Sequence, residues 1–246
     1  SSGVTYSGTY TPYGGNYTFA PVSSGNVYSP VISGASSVTV NGGPAGVLEL
    51  TGNNSYTGGT TIIGGTLSMG HVNALGDPAL VTIPDIGIYN GAALNLKAVG
   101  IPASIVNRIK PDSQGYLILG TNYANINLDL TGLPGIKVGT DQVNLYYNGV
   151  ITPEGDVYRT GGGRVSYASG NYGLVLTNLI DNGATPRTLV VDGNGMVRPA
   201  GTYNNYSGGT VVSNNGALHV REDSGLGKVP TDYDPDNIFV NKGVFR

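Results

Sequence analysis

One stretch of this chain occurs twice. NNSYTGGTTIIGGTLSMGHVNALG, Asn53 to Gly76, returns as YNNYSGGTVVSNNGALHVREDSGLG, Tyr203 to Gly227. Tyr56 falls on Tyr206, Gly58-Gly59 on Gly208-Gly209 and Thr60 on Thr210 at a spacing of 150 residues. Leu67 then falls on Leu218 and Leu75-Gly76 on Leu226-Gly227 at 151, so one residue is inserted in the turn. Inside the first copy, TTII and TLSM are separated only by Gly64-Gly65. Two glycines give the chain too little length to reverse and pair with itself, but they suit a corner that bends one sheet into the next. A closed barrel or sandwich cannot be extended by tandem copies, whereas a coil of stacked rungs can. The recurrence therefore predicts a parallel β-solenoid.

Weaker echoes surround the motif. GGNYTF at Gly14 to Phe19 sits over GGRVSY at Gly162 to Tyr167, SSVTVNGG resembles RTLVVDGN, and IYNGAAL at Ile88 to Leu94 resembles FVNKGVF at Phe239 to Phe245. A unit of about 150 residues is expected, with a nearly complete copy over 1–148 and a partial copy over 149–246 that continues the same solenoid. A longer tandem array, of which this chain is a piece, is the matching expectation. With 41 glycines among 246 residues, 11% charged residues and no cysteine, composition favours strands joined by many turns over helices, and it removes disulfides, thiol catalysis and thiolate metal sites. The net charge of −3 with singly scattered basic residues leaves no electrostatic footprint for nucleic acid. No run of apolar residues is long enough to span a membrane. One segment departs from the strand pattern: in IPASIVNRIK, Ile101, Ile105 and Ile109 recur every fourth residue between Pro102 and Pro111, which predicts a short helix near 102–110.

The residues L-T-G-N-N-S-Y-T-G-G-T-T-I-I-G-G-T-L-S-M-G, Leu50 to Gly70, followed by Asn73-Ala74-Leu75-Gly76, strongly resemble the autotransporter-associated β-strand repeat, also called the passenger-associated transport repeat. The second copy keeps Tyr206, Gly208, Gly209, Thr210 and Leu218 but has Ser207 in place of the threonine. The resemblance implies a right-handed parallel β-helix in a large, secreted bacterial surface protein. It implies a structural module, and an adhesin or glycan-binding passenger domain is the alternative. A β-helix polysaccharide-degrading enzyme is the third reading, and no catalytic residue is assigned.

The residues with chemistry are few. His219 aligns with Ser68, an expected outward strand position, and His71 follows a glycine turn. Glu49, Glu154, Asp156, Asp192, Glu222 and Asp223 are the carboxylates to weigh for general acid/base work, and they show no pairing across the two copies. In TDYDPDN, Asp232, Asp234 and Asp236 alternate like the opening of a calcium loop, but Asn237 stands where such a loop has glycine and Gly243 where it has a bidentate Glu. These three are the candidate metal ligands, for calcium or another divalent ion, with a solvated turn as the other reading. Among the 17 tyrosines, Tyr56/Tyr206 and Tyr10/Tyr158 recur at unit spacing and read as stacked packing positions, while Tyr146, Tyr147 and Tyr203 are the candidates for glycan stacking. Expected partners are copies or neighbouring repeats of the same protein, joined end to end, or a glycan, host or matrix surface, outside the cell.

Overall fold

In the computed structural model the structure describes residues 3–76, 85–162, 173–201, 203–232, 234–235 and 237–246. Most of GDPALVTIPD and of GGRVSY, together with Asp236, lies outside the described residues. The chain divides into two compact units, Ser1–Tyr116 and Leu117–Arg246. In unit 1 the strands are β1 (Thr5–Tyr6), β2 (Asn16–Phe19), β3 (Asn26–Tyr28), β4 (Ser37–Asn41), β5 (Val47–Leu50), β6 (Thr60–Gly64), β7 (Thr66–Met69), β8 (Ile86–Ile88) and β9 (Ala93–Leu96); β10 (Tyr116–Leu119) begins at its last residue. They form two columns of parallel strands, β1-β3-β5-β7-β9 and β2-β4-β6-β8. Neighbours in a column are one turn of the coil apart, as in Asn26↔Leu48 and Leu48↔Leu67. This is a parallel β-solenoid.

Strand alternation fills its core. β5 buries Leu48 and Leu50 and turns Val47 and Glu49 outward, and Leu67 and Met69 lie directly beneath the buried pair. Ile62 and Leu67, on either side of the Gly64-Gly65 corner, are both fully buried, while Ile63 is half-buried. A Cβ on Gly64 would stand 2.5 Å from the Gly42 carbonyl oxygen, and Gly65 has φ +75° and faces the Gly46 carbonyl. The corner thus needs glycine both for its backbone angle and for the closeness of the rung above. The predicted helix is a 3₁₀ turn at Ala103–Arg108, with Pro102 at its N-cap rather than inside it. Ile101, Ile105 and Ile109 are buried as their spacing requires, but Ile109 already bridges in parallel to Ile86, so this segment makes one rung of the coil.

Unit 2 repeats the plan. Its strands are β11 (Leu128–Asp129), β12 (Lys137–Thr140), β13 (Leu145–Tyr147), β14 (Ile151–Thr152), β15 (Val157–Thr160), β16 (Leu174–Leu176), β17 (Thr188–Asp192), β18 (Met196–Pro199), β19 (Thr210–Ser213), β20 (Ala217–Leu218), β21 (Ile238–Asn241) and β22 (Val244–Phe245). Parallel pairing runs β12-β15-β17-β19-β21 and β13-β16-β18-β20-β22, with β11 on β14 along a third face. By pairing, β17 and β19 take the places that β4 and β6 hold in unit 1. One sequence equivalence changes: β15 pairs with β17 as β2 pairs with β4, so Val157–Thr160 stands where Asn16–Phe19 stands. Tyr158 is thus the counterpart of buried Tyr17, whereas Tyr10 is half exposed. Loop length before β15 shifts the spacing, and register along the sheet decides the match.

Candidate functional site

The two copies of the motif build the same corner. The Tyr56 hydroxyl lies 2.6 Å from Thr60 Oγ1 and the Tyr206 hydroxyl 2.7 Å from Thr210 Oγ1, with all four residues buried. Desolvation pushes the Tyr206 phenol up to about 12 against the opposing Thr210 hydrogen bond, and burial raises Tyr56 in the same way. Both phenols stay protonated and serve as hydrogen-bonding wedges. Gly59 (φ +81°) and Gly209 (φ +78°) sit under the carbonyls of Asp85 and Asn237, which accept from the amides of Thr60 and Thr210. Gly76 and Gly227 close the corner from the next turn: a Cβ on either would overlap the carbonyl oxygen of Tyr56 or Tyr206.

Buried asparagines hold the third face. Asn54 accepts from the Ile32 amide at 2.9 Å and donates to the Ala74 carbonyl at 2.7 Å, so a single side chain ties three successive rungs. Asn204 accepts from the Leu179 amide and donates to the carbonyls of Leu176 and Ala200. Outside, short polar side chains bond to those one turn away: Thr51 to Ser29, Asn73 to Asn53, and Asn125 to Asn148 to Thr177. These are hydrogen-bonded ladders running up the stack.

Most of the weighed carboxylates brace rungs. Glu49 pairs with Lys97 at 2.6 Å, Glu154 accepts from the Gly132 amide at 2.7 Å, and Glu222 lies 3.7 Å from Arg198. Asp192 pairs with Lys137 at 2.5 Å and accepts from Ser213 and Asn214. Burial pushes Asp192 upward, but those bonds and the Lys137 charge outweigh it and hold the carboxyl below the usual range. Asp156 is half-buried, its backbone carbonyl taking the Thr188 amide, and Asp223 is exposed at the start of a 3₁₀ turn. His71 accepts the Asn73 amide. His219 lies just past β20 and is half-buried, and desolvation first, then the charges of Arg198, Arg221 and Arg246, lowers its pKa. Its counterpart Ser68 is in register with Glu49, on the outward side of its strand, but is itself buried.

Asp232 and Asp234 are exposed and line a cavity of about 320 Å³ with Ser207, Lys228 and Thr231; their third member, Asp236, lies outside the described residues. Among the described residues no group of three His, Asp or Glu is placed to hold a metal ion. Of the tyrosines considered for glycan stacking, Tyr147 is buried with its hydroxyl on the Ile126 carbonyl, whereas Tyr146 and Tyr203 are exposed.

Two features escaped sequence reasoning. Arg108 holds Asp85 through two bonds, Nε–Oδ1 at 2.9 Å and Nη2–Oδ2 at 2.7 Å, and adds a 2.6 Å bond to the Leu75 carbonyl. Both side chains are nearly buried. Asp181 accepts from the amides of Arg187 and Ser207 and from the Ser207 hydroxyl, a staple across one turn.

The model of the passenger-associated-transport repeat matches residues 45–69 and 189–220. Two segments of the chain thus match the passenger-associated-transport repeat. No curated protein matches the chain, and no solved structure matches it. Each matched segment covers a β-arch of the coil: the first, β5, β6 and β7; the second, β17 to β20. The glycines, tyrosine and threonine common to the two segments are the groups that seat one rung on the next. No helix among the described residues is long and apolar enough to cross a membrane.

Proposed function

We propose that this chain is a structural module of an extracellular bacterial surface protein, a stiff coil that acts as stalk, coat or filament subunit and carries out no catalysis. The observation that carries the reading is the use made of the repeat: Tyr56, Gly58, Gly59, Thr60, Leu67 and Gly76 all serve rung-to-rung seating, and so do Tyr206, Gly208, Gly209, Thr210, Leu218 and Gly227. The bracing roles of Glu49, Glu154 and Asp192 support it, because a carboxylate engaged by a cation or an amide on another rung of the coil is held for shape. Antibodies raised against the chain, applied to intact cells of the source organism before and after surface proteolysis, test it. Labelling of unpermeabilised cells that vanishes after protease is expected; labelling only after permeabilisation overturns the reading.

A further inference from the structure

The two units share a backbone plan but differ in charge along one outward row. In unit 1, Leu48, Leu67 and Leu94 stand in register on the inner side of β5, β7 and β9, and the residues after them, Glu49, Ser68 and Asn95, form the outward row. In unit 2, Val197, Leu218 and Phe245 hold the same places on β18, β20 and β22. The residues after them are Arg198, His219 and Arg246, and Arg221 falls where the first copy of the motif has Gly70. One carboxylate and three uncharged residues are replaced by three guanidiniums and an imidazole, while the tyrosine and threonine that seat the rungs are kept.

Coiling thus gathers cations that lie far apart in the sequence. The His219 amide rests on the Val197 carbonyl and the Arg246 amide on the Leu218 carbonyl, which sets the row at the rung spacing of about 4.8 Å. His219 registers the sign of the field: burial lowers its pKa first, and the charges of Arg198, Arg221 and Arg246 lower it further. The opposing carboxylate is Glu222, 3.7 Å from Arg198, with its side chain 55% exposed and so screened by water, and Asp223 beside it is exposed as well. Arg198 is 7% exposed, whereas Arg221 and Arg246 stand in water. The row faces sideways from the strands. Asn95, which holds the place of Arg246, keeps the outward side of β9 where the chain runs on past it, with the Tyr116 amide on the Ala92 carbonyl.

We propose that this row binds a linear acidic polysaccharide, whose sulfate or carboxylate groups are held by Arg221 and Arg246 in the field of Arg198 and His219. A guanidinium fork takes two oxygens of either group at once, and cations one rung apart suit an anionic chain that runs along the coil. Nucleic acid fits less well. Duplex DNA carries one charge per about 1.7 Å, and a short single-file row on a chain of net charge −3 answers few of those charges while the rest of the surface repels them. The site goes beyond the structural-module reading and rests on it only in the choice of an extracellular polymer.

Calorimetric titration of the 246-residue chain with heparin fragments and with polygalacturonate fragments tests this, the first probe carrying sulfate and the second carboxylate alone. Binding of at least one is expected, with a loss of about tenfold between ~50 and ~200 mM salt, as two contacts to a polyanion require. Arg221→Ala combined with Arg246→Ala should weaken it by about tenfold or more. Lys97→Ala, which removes a cation outside the row, should leave it within about twofold. Glu222→Gln lifts the opposing charge and should tighten binding by roughly twofold to fivefold, a gain that a misfolded variant cannot give. Circular dichroism checks that each variant keeps the strand spectrum. Failure to bind either polysaccharide, binding that the double arginine variant leaves intact, or affinity for a short DNA duplex equal to that for the polysaccharides overturns the site. A chain displayed on the cell surface that binds neither polysaccharide would sink the site and leave the structural-module reading standing.

Discussion

Gly76 and Gly132 separate two demands that glycine meets in this coil. Both lie at φ near +80°, yet a Cβ on Gly132 meets nothing within 4 Å, while one on Gly76 overlaps the Tyr56 carbonyl. Gly132→Ala should cost about 1 kcal/mol, the left-handed penalty alone. Gly76→Ala should cost that and more, because the rung above must shift, and equilibrium urea unfolding of both variants measures the difference. Equal losses would mean that the corner has room to relax. The Tyr206–Thr210 pair makes a second residue-scale test. Tyr206→Phe leaves a buried hydroxyl without its partner, which costs roughly 1–3 kcal/mol. The double variant Tyr206→Phe with Thr210→Val removes both polar groups and should lose less than the two single changes summed. Strict additivity in that cycle would show that the hydroxyls do not depend on each other.

Within single elements, charge ties one rung to the next. Asp192 at the end of β17 carries a lowered pKa, so its contribution to stability is complete above the ordinary aspartate value of about 3.9 and is lost as pH falls through the lower folded value. Acid titration of unfolding free energy should therefore decline in that window for the wild type and decline less for Asp192→Asn, which is already weakened at neutral pH. Asp85 and Arg108 tie the 3₁₀ segment to the motif corner, and Arg108→Ala, which strands a buried carboxylate, should cost about 3–5 kcal/mol. That pair was invisible in the sequence. Its members sit one turn apart, and Asn237 holds the place of Asp85 in the second copy, so no recurrence pointed to it. The motif corner was legible because Tyr56, Gly59, Thr60 and Gly76 each return at 150 or 151 residues and each answers a local demand. The 3₁₀ turn was half legible: its isoleucines bury as spaced, but the pull of the adjoining rung extends the backbone at Ile109. The match of Tyr10 to Tyr158 misled because pairing register, which sets Tyr158 in the place of Tyr17, outranks residue count.

Across the whole chain, a coil of parallel rungs has nearest-neighbour stability: each rung is held by the rungs on either side of it. Leu67, fully buried with Leu48 and Leu94 in register on its two sides, should lose about 2–5 kcal/mol on replacement by alanine. Val240, 42% exposed with Val212 beside it in its column, should lose far less by the same change. Native-state hydrogen exchange extends the comparison to every amide. In dilute solution the Leu67 and Leu189 strands should exchange slowest, and the amides of Val244, on the Gly216 carbonyl, and of Val27, on the Val4 carbonyl, fastest, because fraying of a terminal rung breaks contacts on one side only. Protection that is uniform along the chain would contradict nearest-neighbour stability itself.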